Sequence, residues 1–212
     1  FQIYMALSGY TDIARGTARF FGYDLAINFN RPYLAPTVSS FWQRWHISMS
    51  SFFREYLYWS IGGSKHGHVY LNLMVTFVAI GLWHGAGWNF VVYGLLHGSV
   101  VCLERARRLR RRAAGLPDED ASRTGQIAGF LYTFAFVALA RILFVASDLG
   151  GAVDYARALW SSSGTGGAAG LQGYATLVAA IALHVLPRAA EERARQLFFS
   201  RPVAVQGLAL TC

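Results

Sequence analysis

Two histidines stand where an ionisable side chain is costly to keep. His84 interrupts the apolar run 69–103, and His46 lies in the aromatic stretch 41–48. Ionisable groups at membrane depth are usually functional. A neutral imidazole can take the proton of a hydroxyl while the hydroxyl oxygen attacks a carbonyl carbon, which is the general-base step of acyl transfer. The pattern therefore predicts a membrane-embedded enzyme, although a histidine that only hydrogen-bonds a neighbouring helix fits the spacing of His84 equally well.

The neighbours of His84 suit a narrow apolar tunnel. Trp83 and Trp88 are aromatic, and the glycines between them leave open space. Asn89 carries an amide that can orient either an imidazole ring or a substrate. On this basis His84 is the candidate base, and Trp83 and Asn89 are candidate substrate-binding residues.

Other reactive side chains lack the context that chemistry would need. His66 and His68 form only a faint metal-binding tract and are better explained as part of a solvated loop. Cys102 and Cys212 are far apart, which argues against a disulfide framework or a paired-cysteine metal site. Serines occur without a nucleophile elbow. We therefore expect no metal centre and no serine acyl-enzyme.

The composition is that of a membrane protein. Of the 212 residues, 54% are hydrophobic and 14% are charged, whereas about 25% are charged in ordinary soluble domains. Mean hydropathy is +0.33. The net charge of +8 is concentrated at the ends of apolar segments, so it indicates membrane topology and argues against nucleic-acid binding.

Helical patterns fill the first hundred residues. Residues 1–24 predict a helix whose small residues allow close packing against other membrane helices. The segment 38–61 repeats apolar residues at helical spacing, with Thr37 or Ser39 as its cap and glycines 62–63 at its end. The run 69–103 is far longer than the roughly 20 residues of one crossing. We therefore expect a hairpin bent at glycines 85–87.

Two further spans are expected, at 127–147 and at 171–186, with a linker at 148–170 between them. Arg141 is the only charged residue of the first span, and six arginines lie between residues 105 and 112. By the positive-inside rule the arginine clusters are cytoplasmic and the linker faces outside. His84 then lies deep in the bilayer or across it. The arginines would also attract anionic headgroups, by ~1 kcal/mol each.

A series of short motifs occupies residues 2–98. They are the stretches 2–4, 8–12, 28–33, 41–48 (Phe-Trp-Gln-Arg-Trp-His-Ile-Ser), 54–58, 62–63 and 81–86 (Gly-Leu-Trp-His-Gly-Ala). In order and content the series closely resembles the membrane-bound O-acyltransferase family, specifically its bacterial branch that O-acetylates alginate-type polysaccharides.

The resemblance implies an all-α, multi-pass membrane protein with a tunnel toward the membrane centre and a re-entrant or hairpin segment that carries the catalytic histidine. His84 falls on the family's signature histidine, and His46 falls on a second important histidine. Arg44 and Trp45, within the same motif as His46, are further substrate-binding candidates beside Trp83 and Asn89.

Two departures from the branch stand out. Ala6 and Leu7 occupy the place where the branch usually has an aspartate, which removes one carboxylate near the presumed channel. Val145 stands where the family tends to have the arginine of a Phe-Arg-Ala ending.

The function expected from residues and resemblance together is O-acyl transfer, most simply O-acetyl transfer, in the cell inner (plasma) membrane. The donor is acetyl-CoA or another acyl thioester on the cytoplasmic side, and the acceptor is an exported or cell-wall polysaccharide. A secreted or anchored partner acetyltransferase and the lipid bilayer are the other expected partners. D-alanyl transfer to teichoic acids, a non-catalytic scaffold and a transporter are the alternatives.

The domain expectation is one membrane domain, 1–212, forming the C-terminal portion of a longer chain. It divides into a motif-bearing core at 1–98, a basic cytoplasmic loop at 99–126 and further membrane spans at 127–212.

Overall fold

The computed structural model describes residues 1–161 and 171–201. Within these ranges every regular element is helical, as predicted. The α-helices are α1 (Gln2–Phe20), α2 (Val38–Trp42), α3 (Ile47–Phe53), α4 (Val69–His84), α5 (Trp88–Ala113), α6 (Arg123–Val145), α7 (Leu149–Trp160), α8 (Leu171–Val185) and α9 (Arg188–Phe199). A 3-10 turn at Pro32–Leu34 and a π-helical turn at Arg54–Tyr58 complete them.

The chain forms two compact units. Residues 2–166 make up one, which holds helices α1 to α7. Phe1 and residues 167–212 make up the other, which holds α8 and α9. All the candidate site residues belong to the larger unit.

Helices α4 and α5 form the hairpin that the glycines predicted. The two helices pack at very short range, since a methyl group added at Gly81 would overlap the Phe90 carbonyl and one added at Gly94 would overlap the Phe77 carbonyl. Small residues permit this approach where packing, rather than water, drives association of apolar helices. The hairpin is antiparallel, so the start of α4 and the end of α5 lie at one end and His84 lies at the other.

Helix α6 is, among the residues described, the one helix that is long and apolar enough by itself to cross a membrane. Helix α4 is apolar but has 16 residues. The expected span 171–186 corresponds to α8, which has 15 residues and meets the same test only together with α9, across a bend of 102°.

The segment 38–61 is not the single helix that its periodicity predicted. Thr37, one of the two expected caps, begins α2 with a capping box, but the helix ends after Trp42. His46 then adopts a left-handed backbone with φ 43°, and α3 starts a new direction. Tertiary contacts of the aromatic side chains in this segment override its helical period.

Two other ranges differ from expectation. Part of the expected linker 148–170 is helix α7, capped by the Asp148 side chain, which accepts a hydrogen bond from the Gly151 amide. The range 99–126, expected to be a loop, begins with the last 15 of the 26 residues of α5, because this helix continues to Ala113. Its arginines extend the helix because arginine is a strong helix former.

The core lies where α2 packs against the α4–α5 hairpin and α6. Trp42 donates its indole N–H to Nδ1 of His97 at 3.2 Å, and the Trp42 ring also packs edge-on against Phe77. The His97 side chain is completely buried. His97 is therefore a residue of the packed core.

Candidate active site

The structure brings the two predicted histidines together around Trp83. The ring centroid of Trp83 lies 4.7 Å from that of His84 and 6.1 Å from that of His46, in an edge-on arrangement. The three rings meet at the end of α4, although His46 comes from a different part of the chain. The cluster is half-open, since both histidines are partly exposed and Trp83 is 56% exposed.

The backbone around His46 is clamped by the segment 28–30. The Ile47 amide donates to the Asn28 carbonyl at 2.9 Å, and the Asn30 amide donates to the Arg44 carbonyl at 2.9 Å. The Asn28 side chain also accepts from the Ser48 amide at 3.0 Å. These bonds hold His46 in the left-handed conformation, which costs a non-glycine residue roughly 1–2 kcal/mol. Such strained positions cluster at functional sites.

His84 is the last residue of α4, and Gly85 ends the helix directly after it. The Phe144 ring of α6 packs edge-on against the imidazole, with 4.9 Å between centroids. Among the hydrogen bonds of the described residues, none involves a ring nitrogen of His84. An aromatic wall thus fixes the ring from the side while its nitrogens remain open to a substrate.

Asn89 makes structural contacts beside the histidine cluster. Its side-chain amide donates to the carbonyl oxygens of Leu143 at 3.0 Å and Ala146 at 3.1 Å, and the residue is 1% exposed. These bonds tie the start of α5 to the end of α6 and satisfy carbonyls that the helix terminus leaves open. Asn89 therefore positions the Phe144 wall through its amide N–H groups, while its side-chain oxygen has no hydrogen-bond partner among the described residues.

Trp45 is a buried wall of the same region. It stacks on Phe41 at 5.5 Å between centroids and packs edge-on against Phe29 at 5.1 Å. Its ring also lies against the guanidinium of Arg141, with 5.2 Å from the guanidinium carbon to the ring centroid. Arg141 was not among the predicted site residues. Its signal in the sequence was a single charge inside an apolar span.

Arg44 does not join the histidine cluster. It lines a cavity of about 1270 Å³ together with residues from the end of α5 and the start of α6. Five arginines line this cavity: Arg44, Arg107, Arg108, Arg111 and Arg123. None of the five takes part in an ion pair within the part of the chain that the structure describes.

Three of the four carboxylates that line this cavity, all but Glu119, accept hydrogen bonds from other residues. Glu104 accepts hydrogen bonds from the Val38 amide at 2.7 Å and the Ser39 amide at 2.8 Å, so it satisfies the N-terminus of α2. A hydrogen bond from Arg112, with its charge, holds the pKa of Asp118 below its usual value. Hydrogen bonds from Ser122 lower the pKa of Asp120. The five cavity arginines thus remain available for an anionic ligand.

In the described part of the chain, no three His, Cys, Asp or Glu side chains lie close enough together to hold a metal ion. The chemistry available at the histidine cluster is proton transfer at an imidazole within an aromatic surround.

Comparison with known proteins gives a consistent family. Residues 1–147 match the model of the membrane-bound O-acyltransferase family. The chain is 40% identical over 168 residues to the peptidoglycan O-acetyltransferase of Helicobacter pylori, covering 77% of this chain and 30% of that protein. It is 37% identical over 150 residues to the probable alginate O-acetylase AlgI of Azotobacter vinelandii, covering 70% of this chain and 28% of the relative.

More distant relatives have a different acyl group in their names. The chain is 28% identical over 152 residues to the teichoic acid D-alanyltransferase of Bacillus subtilis, covering 67% of this chain and 38% of that protein. The chain thus spans less than a third of the length of its polysaccharide O-acetylating relatives. The match over residues 1–147 includes both histidine motifs, and by that match this chain belongs to the membrane-bound O-acyltransferase family.

Proposed function

We propose that the protein is a multi-pass O-acetyltransferase of the plasma membrane that acts on an exported or cell-wall polysaccharide. The observation that carries the proposal is the meeting of His84 and His46 around Trp83, at the end of an apolar hairpin. Family membership and the names of the relatives supply the reaction class and the type of acceptor.

In the proposed reaction His84 is the general base. Its open ring nitrogen accepts the proton of an acceptor hydroxyl as the hydroxyl oxygen attacks the carbonyl carbon of an acyl thioester. The tetrahedral intermediate then collapses, the carbon–sulfur bond breaks, and the protonated His84 returns its proton to the leaving thiolate. His46 and Trp83 border the same space, where they orient the donor or the acceptor. General-base catalysis of this kind contributes about 10²–10⁴-fold to a rate.

The arginine-lined cavity is the proposed binding place for the donor's phosphates. Its five arginines have no ion-pair partners in the described part of the chain, and arginine binds phosphate oxygens in a bidentate manner. Acetyl-CoA, or another thioester on a phosphopantetheine arm, provides such phosphates.

The separation of cavity and base favours a donor with a long arm. Glu104 at the cavity and Asn89 beside the histidine cluster are 15 residues apart on α5, which corresponds to about 22 Å at 1.5 Å per residue. The arginine-rich end is cytoplasmic by the positive-inside rule. A thioester bound there by its phosphates would present the acetyl group toward the far side of the membrane, where it meets the acceptor hydroxyl of the polysaccharide.

D-alanyl transfer to teichoic acid is the second candidate, because relatives with that name match the same region at 24% and 28% identity. The higher identities belong to the polysaccharide O-acetylating proteins, which favours acetyl transfer.

The proposal is tested by deleting the full-length gene and complementing the deletion with wild type, His84→Ala or His66→Ala at matched membrane abundance. His66 is an exposed loop histidine and serves as the matched control. We expect wild type and His66→Ala to restore O-acetyl groups on the exported polysaccharide and His84→Ala to leave it unacetylated.

Other outcomes separate the alternatives. Restoration by His84→Ala would contradict the base assignment and favour a scaffold. Loss of D-alanyl esters in the deletion strain, with unchanged O-acetyl content, would contradict acetyl transfer in favour of D-alanyl transfer. Transmembrane flux without ester formation would favour a transporter.

A further inference from the structure

Arg141 is a charge in a place where charge is costly. It lies near the C-terminal end of α6, the most apolar long helix of the described chain, and Arg123 at the helix start is the only other charged residue of α6. A charged side chain within a membrane helix is costly. Arg141 therefore calls for a compensating interaction.

The protein compensates this charge only in part. The guanidinium carbon of Arg141 lies 4.7 Å from the centroid of Phe144 and 5.2 Å from that of Trp45, and the Tyr33 hydroxyl is within hydrogen-bonding reach. No Asp or Glu of the described ranges pairs with it. Cation–π contacts attract the guanidinium, but neither they nor a phenol neutralise its charge. The site is prepared for an anion that the described chain itself does not provide.

The same aromatic rings connect Arg141 to the candidate base. Phe144, one turn after Arg141 on α6, contacts the guanidinium on one hand and the His84 imidazole on the other, at 4.9 Å between ring centroids. Trp45, the other ring against Arg141, directly precedes His46. Arg141 thus lies one ring away from His84, beside the space in which the acyl carbonyl is proposed to react.

We propose that Arg141 binds the carbonyl oxygen of the acetyl group as that oxygen becomes negatively charged; this inference rests on the proposed acyl transfer. When the hydroxyl oxygen attacks, the carbonyl π electrons move to that oxygen, and His84 holds the hydroxyl proton. The guanidinium N–H groups donate to the oxyanion. Collapse restores the C=O bond, expels the thiolate and releases Arg141 from the anion. Fixed donors at a developing oxyanion are worth most in a site that excludes water.

The test uses the purified full-length protein in lipid nanodiscs, with labelled acetyl-CoA and the exported polysaccharide as substrates. Arg141→Gln removes the charge, Arg141→Lys keeps it without the planar fork, and Arg157→Gln on the exposed helix α7 is the control. We expect Arg141→Gln to lower kcat by about 10²–10³-fold, with KM for both substrates nearly unchanged. Arg141→Lys should recover part of that loss, and Arg157→Gln should match wild type.

Each other result has a definite meaning. A raised KM for the polysaccharide at unchanged kcat would overturn the inference and make Arg141 a binding group for an anionic acceptor. A wild-type kcat for Arg141→Gln would overturn the inference outright. If His84→Ala loses transfer in the same experiment, the proposed function still stands. Absence of transfer by wild type itself would overturn the proposed function and this inference together.

A variant that does not fold does not block the test. If Arg141→Gln cannot be purified as a monodisperse protein, Arg141→Lys decides. A lowered kcat at unchanged KM supports oxyanion binding, because lysine lacks the bidentate geometry of arginine, and a wild-type kcat overturns it.

Discussion

At the scale of single residues, His46 combines a strained backbone with a side chain beside the candidate base. Its φ of 43° is one of two positive values among the non-glycine residues described, and backbone hydrogen bonds from residues 28–30 hold it there. The imidazole faces Trp83. If position 46 served only the backbone turn, glycine would serve it better than histidine, because glycine adopts the left-handed region without steric cost. The conformation and the side chain can therefore be separated by mutation.

His46→Gly should leave the protein as stable as wild type or more so, and should still lose most of its acetyl transfer. His46→Ala should lose transfer as well, and should be less stable than His46→Gly by about 1 kcal/mol because alanine keeps the left-handed strain. Thermal unfolding in detergent and the initial rate of acetyl transfer measure the two effects. A fully active His46→Gly variant would show that the imidazole has no part in the reaction.

At the scale of elements, the α4–α5 hairpin and the segment around α2 place the site together. The hairpin could be predicted from sequence because a long apolar run with a glycine break has few other solutions in a membrane. The break at His46 could not be predicted, because the apolar residues keep their helical spacing through 43–46, where the helix is interrupted. Asn89 could not be assigned either, since its partners are carbonyls at residues 143 and 146. Arg141 was visible as a lone charge, but its contact with Trp45 could not be predicted because Trp45 is distant in the sequence.

The close contact of α4 and α5 predicts a sharp response to a single methyl group. Gly94→Ala should destabilise the protein by about 1–3 kcal/mol, because the added carbon overlaps the Phe77 carbonyl and overpacking costs that much. Gly16→Ala, in an open position on α1, should be neutral or slightly stabilising. Unfolding midpoints of the two variants check this. Equal midpoints would contradict the packing of the hairpin.

At the scale of the whole molecule, basic residues and the direction of the helices define two faces. The end of α5 and the start of α6 belong to the arginine-rich face. The histidine cluster lies at the end of α4, and α7 begins just after the end of α6; these belong to the other face. This arrangement matches the expected supply of donor from the cytoplasm and delivery to the outside. The residue pattern predicted the two faces, but only the structure shows that Arg44 lines the arginine-rich cavity.

The two faces predict where an introduced cysteine reacts. In a cysteine-free full-length background, Ala114→Cys should react with a membrane-impermeant maleimide only after the cells are opened. Ser161→Cys, just after α7, should react in intact cells. The opposite pattern would invert the topology and place the arginine cavity outside the cell, where no cytoplasmic thioester could reach it.

The central claim, that His84 is the base of acetyl transfer, is tested most directly by single-turnover kinetics. Full-length wild type and His84→Ala, purified in nanodiscs, are mixed with labelled acetyl-CoA and the acceptor polysaccharide, and ester formation is followed over time. We predict that His84→Ala binds donor as wild type does but forms ester about 10²–10⁴-fold more slowly. Ester formation by His84→Ala at the wild-type rate would contradict the claim.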